Sequence, residues 1–222
     1  MSGQRTYRQN CGLARALDVL GERWTILVVR ELCMGPRRYK DLLEALPGIG
    51  TNMLAARLKT LESSKVIRSV VLPQPASTRA YELTDLGAKL RPILGQLGVW
   101  GFQLDVPIDD DAESRASWLM QAMLATADPA EAAALDAIVE VRAGTELMWI
   151  KADSGGVDLR CGTAGVGPDL VIDTDLPTFI ALAFGGLSPT QAVKNGALRV
   201  GGNRKLLSKF FHAFRIRRPS SH

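Results

Sequence analysis

Between Leu13 and Leu61 apolar residues return every three or four positions, the spacing of one helix face, but Gly21, Gly35-Pro36 and Pro47-Gly48 cut the pattern into four short lengths. Helices this short are marginal alone in water and must share a core. Leu13, Leu17 and Leu20 lie on one face of the first. Trp24 to Cys33 is almost wholly apolar and belongs at the centre of the bundle. Tyr39, Leu42, Leu43 and Leu46 mark a third helix. Thr51 is placed to cap a fourth that runs to about Ser64. This fourth helix turns Leu54, Leu58 and Leu61 inward and Asn52, Met53, Ala56, Arg57 and Thr60 outward. Joined by Pro-Gly-Ile-Gly-Thr, the third and fourth helices make a helix-turn-helix.

The periodicity then changes. Val66 to Leu72 and Thr78 to Leu83 read as two strands around a turn-rich tip at Pro73–Ser77, which together form a wing behind the fourth helix. A long helix follows, with Leu86, Leu90, Ile93, Leu97, Trp100 and Leu104 as its apolar stripe. Pro92 predicts a kink in it, and Gly95, Gly98 and Gly101 weaken it. A helix so marginal calls for a partner surface, most simply a second copy of itself.

Composition narrows the function classes. Hydrophobic residues make up 46% and charged residues 23%, ordinary globular proportions that disfavour disorder and fibres. No apolar run is long enough to cross a bilayer, and the polar start MSGQRTYRQN predicts no signal peptide and a cytoplasmic protein without membrane association. Three scattered cysteines, Cys11, Cys33 and Cys161, with only His212 and His222 beside them, suggest neither a disulfide framework nor a metal site. No paired acid and base stand at defined positions, so an enzyme and a cofactor are not expected. The string GTAGVG lacks the Lys-Ser/Thr and following helix of a phosphate loop. The net charge of +4 is carried by the first half, while the second is mildly acidic, which suits one nucleic-acid-binding domain and one with another task.

The blocks ALDVLGERW, LxxGPRRYKDL, LPGIGTNMLAARLKxLE and YELTxLG stand in order within Cys11 to Gly101. They resemble the HxlR family of winged helix-turn-helix regulators. That resemblance implies a homodimer paired through its terminal helices, binding palindromic operators in double-stranded DNA, usually as a repressor. Arginine can pair bidentately with guanine, which makes Arg57 the leading base reader. Asn52 and Met53 stand near the start of the same helix, and Asn52 could read adenine or hold a phosphate. Arg37, Arg38 and Lys40 are placed for backbone phosphates, and Arg79 on the wing for a phosphate or the minor groove. Cys11 lies at a helix N-terminus near Arg8 and Arg15, where amides and cations favour thiolate. The resemblance implies a redox-sensing cysteine there in some relatives, whereas the plainer expectation is a small buried residue.

Beyond an acidic segment at residues 106–114, read as a linker, Arg115 to Thr126 forms a helix stopped by Asp128-Pro129. Val139 and Val141, then Leu147 to Ala152, then Val157, Leu159 and Cys161 predict a three-strand meander, with Leu147 to Ala152 apolar on both faces. Leu170 to Ile172 and Leu198 with Val200 add short strands, Phe179 to Phe184 and Pro189 to Asn195 short helices, and Leu206 to Phe214 a wide apolar helix face. DLVIDTDLPTFIALAFGGLSPTQAVKNGALRVGGNRKLLSKFF resembles the sterol carrier protein type 2 fold. That resemblance implies a sheet with helices enclosing an apolar pocket for a lipid-like molecule, with Trp149, Phe179, Leu182, Phe184, Phe210, Phe211 and Phe214 as candidate lining.

The expected architecture is therefore α+β in two parts. A winged helix-turn-helix DNA-binding and dimerisation domain occupies 1–105, and a mainly antiparallel sterol-carrier-like domain occupies 115–222. The leading functional expectation is a regulator whose second domain senses an apolar small molecule. A second is a regulator whose C-terminal domain is only an interaction module, with redox sensing at Cys11. A third is a lipid-handling protein whose winged domain binds protein.

Overall fold

The computed structural model describes residues 6–73, 77–105, 112–165 and 167–216. It divides into two compact units, Met1–Leu94 and Gly95–His222. Most of the expected linker, residues 106–111, and the middle of the wing tip, residues 74–76, lie outside the described residues.

The first unit follows the order α1 (Gly12–Leu20), α2 (Thr25–Leu32), β1 (Arg37–Arg38), α3 (Tyr39–Ala45), α4 (Thr51–Ser63), β2 (Ile67–Val71), β3 (Arg79–Leu83), α5 (Asp85–Ala88) and the start of α6 (Leu90–Gly101). Its core is built from Val28, Val29 and Leu32 of α2, Leu42 of α3, and Leu54, Leu58 and Leu61 of α4, closed by Ile67 of β2. The leucine spacing on α4 puts all three on one face, so burying them turns the opposite face to solvent. Gly50, not Thr51, is the N-cap of α4, and Thr51 is its first helical residue. The wing sheet has the order β1-β3-β2. Its third strand was not expected: Arg37 and Arg38 pair with Tyr81 and Ala80 before the chain enters α3. Trp24 caps α2 at φ 77°, an unusual conformation for a bulky side chain.

Pro92 acts one turn upstream of where a kink was expected. A proline removes the hydrogen bond to the carbonyl four residues earlier and clashes with it; here that carbonyl belongs to Ala88, the last residue of α5. The chain turns at Lys89, and Pro92 sits in the first turn of α6, where its missing N–H has no intrahelical partner to lose.

The second unit contains the end of α6, α7 (Ala116–Ala125), α8 (Pro129–Ala133), β4 (Ala137–Ala143), β5 (Glu146–Asp153), β6 (Gly156–Cys161), β7 (Leu170–Thr174), α9 (Leu176–Ala183), α10 (Pro189–Lys194), β8 (Leu198–Gly202) and α11 (Lys205–Ala213). The five strands order as β6-β5-β4-β7-β8. All pairs are antiparallel except β4 with β7. Three helix starts share one device: Asp128, Asp175 and Ser188 accept hydrogen bonds from amides of α8, α9 and α10, with a proline in each first turn. Glu146 accepts from the backbone N–H and hydroxyl of Ser117, fixing the start of α7 to β5.

Strand alternation sorts the sheet's residues. Val139, Val141, Met148, Ile150, Leu170 and Ile172 point to one face and are wholly buried. Lys151 and Arg142 alternate with them and are exposed. β5 is thus fully buried on one face and mixed on the other, where Leu147 and Trp149 are half-buried and Lys151 is exposed. Phe179, Phe210 and Phe214 are fully buried, and Phe211 nearly so. Their rings interlock, Phe210 lying 5.2 Å from Phe211 and 5.1 Å from Phe214 between centroids. Gly95 has no room for a side chain, since a Cβ there would lie 2.5 Å from that of Ala125 in α7. Among the described residues no helix is long and apolar enough to cross a membrane.

Phe210 anchors the aromatic cluster. Phe210→Ala should lower the unfolding free energy by about 3–5 kcal/mol, seen as a lower urea midpoint. A loss below about 1 kcal/mol would mean that the cluster contributes little packing.

Candidate nucleic-acid interface

The exposed side of α4 carries Asn52, Met53, Ala55, Ala56 and Lys59. α3 is tied to its start by the Tyr39 hydroxyl, which donates to the Thr51 carbonyl at 2.7 Å. Ala55 and Ala56 leave the α4 backbone free to approach a groove, while Asn52 offers a paired donor and acceptor.

The cations around α4 differ in what they are free to do. Lys40 is 80% exposed, and its contact with Glu44 is a loose 3.5 Å surface pair of little strength. Arg38 is more committed: its guanidinium donates to both Asp41 oxygens, and the Asp41 carboxylate accepts from the Arg38 amide, closing a capping box at α3. The Arg38 hydrogen bonds hold the Asp41 carboxyl below its ordinary pKa. Arg37 is half-buried on β1. On the wing, Arg79 donates to the Ser69 hydroxyl at 2.7 Å and lies 5.5 Å over the Tyr81 ring. That arrangement extends its charge along the hairpin.

Arg57 is placed differently from the expectation of a free base reader. Its side chain is 14% exposed, and its Nη2 lies 3.2 Å from Glu22 in the turn between α1 and α2. The same nitrogen lies 3.0 Å from the Met53 sulfur. The partner is thus Glu22, 35 residues away in sequence, and not the neighbouring Glu62. Sequence spacing gives no sign of so distant a pairing. Asp18 is a second residue that pattern reading passes over: it accepts from the Thr6 hydroxyl and the Tyr7 amide and secures the segment before α1.

Cys11 is exposed, which overturns the plainer expectation of a buried residue. It is the N-cap of α1, and the Ala14 and Leu13 amides of the first turn draw its thiol pKa below the ordinary value, although the side chain closes no cap hydrogen bond. Cys33 is buried as expected, and desolvation pushes its thiol up to about 11. Among the described residues no three His, Cys, Asp or Glu side chains gather as a metal site.

In the second unit the candidate pocket residues separate. Phe179, Leu182, Phe210, Phe211 and Phe214 are core. Phe184 is half-buried, edge-on to Phe102 at 5.4 Å. Trp149 does not line that interior: it alternates with the buried Met148 and Ile150, and its cross-strand neighbours are Glu140 and Arg160 on the opposite sheet face. A cavity of about 270 Å³ lies at the end of β7 and β8, lined by Asp173, Thr174, Asp175, Gly196, Ala197 and Arg199, and it is polar.

The two thiols should separate in reactivity. At pH 8 iodoacetamide should modify Cys11 in the folded protein, at a rate that rises with pH to a midpoint below that of an unstructured cysteine peptide, while Cys33 reacts only after unfolding. Peptide mass mapping distinguishes them, and an ordinary or raised midpoint for Cys11 would contradict the helix-cap account.

The comparisons also divide the chain in two, but the first match runs beyond the Leu94 boundary of the compact units. Residues 19–107 match the family described as HxlR-like helix-turn-helix, and residues 120–215 the SCP-2 sterol transfer family. The HTH-type transcriptional regulator YodB of Bacillus subtilis is 36% identical over 98 residues, 44% of this chain and 88% of that protein. YvaP, an uncharacterized HTH-type transcriptional regulator of the same organism, is 38% identical over 86 residues, 39% of this chain and 80% of that protein. A crystal structure of quinone-bound YodB from B. subtilis is 33% identical, with a TM-score of 0.36, covering 41% of this chain and 97% of that one. The chain therefore belongs to the HxlR-like helix-turn-helix family of DNA-binding transcriptional regulators and carries a second domain of the SCP-2 sterol transfer family.

Proposed function

We propose that the protein is a cytoplasmic, homodimeric repressor that binds a palindromic operator. The observation that carries this reading is the pairing of two surfaces in one chain. α4 exposes Asn52, Met53 and two alanines, and α6 leaves Ile93, Leu97 and Trp100 exposed at helical spacing. Trp100 is 56% exposed, a costly position for so large an apolar ring unless a second surface covers it. A second copy of α6 supplies an apolar stripe of the same spacing, and a twofold pair would set two recognition helices about 34 Å apart, one duplex turn. Asn52 and Met53 are then the base-edge readers, and Arg37, Arg38, Lys40 and Arg79 the phosphate contacts.

The second domain supplies the signal in this reading. Its family match is to the SCP-2 sterol transfer family, and an apolar molecule would enter by parting the packed phenylalanines of α9 and α11. Such a ligand regulates only if it binds one conformation better than the other. A second reading is favoured by the exposed thiol of Cys11 at the N-terminus of α1: an electrophile or oxidant adds there and the C-terminal domain is structural. Native mass spectrometry separates the two, since a bound apolar ligand is lost on denaturation and a Cys11 adduct is not.

Leu97→Asp should convert the dimer to a monomer in light scattering and weaken binding to duplex selected from a random-sequence pool at least tenfold. Asn52→Ala should leave the dimer intact and cost about 1–3 kcal/mol, confined to one base pair of each half-site. A dimer that survives Leu97→Asp, or a uniform loss for Asn52→Ala, would contradict these assignments.

A further inference from the structure

Arg57 stands at the border between the exposed and buried sides of α4, and most of its side chain is removed from solvent. Its Nη2 meets Glu22 at 3.2 Å, and its buried Nε has no hydrogen-bond partner among the described residues. Glu22 is half-exposed, at 52%. It sits on the turn between α1 and α2, held by the Thr25 amide, which donates to the Glu22 carbonyl at 3.1 Å. The pair therefore crosses from this turn to the recognition helix at the flank of the leucine row, since Arg57 follows Leu54 by three residues and precedes Leu61 by four. The leucines decide which face of α4 is buried, but apolar packing is non-directional and leaves small rotations of that face to be set by other contacts. A charge-assisted hydrogen bond is directional and limits that rotation. The neighbouring Met53 sulfur, 3.0 Å from the same nitrogen, packs the guanidinium in place.

We propose that Glu22 and Arg57 form a latch that sets the rotation of the recognition helix, and that Arg57 is a positioning residue which makes no base contact. This rests on the reading of α4 as the DNA-recognition helix. Base reading then falls to Asn52, Met53 and Ala56, whose side chains are exposed. Glu22, which does not touch DNA, becomes a determinant of affinity. The rival role for the same pair is sequestration, in which Glu22 holds back a base-reading arginine that DNA must release. The two roles give opposite signs when Glu22 is neutralised, because a latch helps binding and a competitor hinders it.

The test measures binding of the full chain to a duplex selected by the wild type from a random-sequence pool, and to that duplex with each base pair changed in turn. Glu22→Gln, Arg57→Gln, their double variant and Arg57→Lys are compared at a temperature far below unfolding, with the folded fraction fixed by circular dichroism. Glu22→Gln keeps a similar shape at a half-exposed site and so keeps the fold if Arg57→Gln does not. The latch predicts that Glu22→Gln and Arg57→Gln each weaken binding about tenfold, the order of one charge-assisted hydrogen bond. The loss is the same on every duplex, and the double variant loses no more than the worse single. Arg57→Lys, which keeps a cation for Glu22, restores most of the affinity. Tighter binding by Glu22→Gln, or a preference lost at one base pair in Arg57→Gln alone, would overturn the latch and make Arg57 a base reader. A folded wild type that selects no duplex would instead remove the DNA reading itself, and the latch with it.

Discussion

The DNA-reading surface depends on one row of leucines. Leu54, Leu58 and Leu61 are wholly or almost wholly buried, and burying a leucine side chain is worth roughly 1.5–3 kcal/mol. Together they outweigh a single surface ion pair, and the consequence is geometric. Once these three face the core, Asn52, Met53 and Ala56 have to face outward. α2 provides the floor through the buried Val28, Val29 and Leu32, and Glu31 is buried beside them in a pair with Arg30. The wing and β1 then close the unit around that floor.

The polar contacts refine what the leucines establish. Tyr39 ties α3 to the start of α4, and Glu22 meets Arg57 further along it. Arg38 is occupied by Asp41 in a capping box, whereas Lys40 is almost unencumbered. A row of basic residues in sequence thus resolves into cations with different tasks. Some build the helix starts and turns that present the others. The second unit follows a similar division of labour. Its apolar sheet face and phenylalanines make the core, while Asp128, Asp175 and Ser188 start the helices that cover it.

Much of this was legible in the sequence because it rests on local rules. Helices cut by Gly and Pro, the wing strands, the β4–β5–β6 meander and the inner face of α4 all follow from periodicity and turn chemistry. Cys33 was legible as core from the apolar helix before it. What escaped depends on residues far apart in the chain. The pairing of Arg37 and Arg38 with β3 is a long-range register that two arginines do not announce. The Glu22–Arg57 contact joins two segments whose proximity only the fold creates. Trp149 was misplaced because a tryptophan in an apolar run suggests burial, whereas alternation from Met148 and Ile150 assigns it to the other face. Pro92 was legible as a disruption, but its effect falls on the carbonyl of Ala88, one turn earlier than the proline itself. Cys11 divided the local rules against one another: a small apolar residue suggests burial, a helix N-terminus suggests exposure, and the cap geometry decided between them.

The central claim is that two copies of this chain present α4 to one duplex. Native mass spectrometry of the protein with a duplex from random-sequence selection tests it most directly. The account predicts two chains on one duplex, in a complex that falls apart steeply as ammonium acetate is raised, because cations on phosphates supply most of the affinity. A single chain on the duplex, or a complex indifferent to salt, would contradict it.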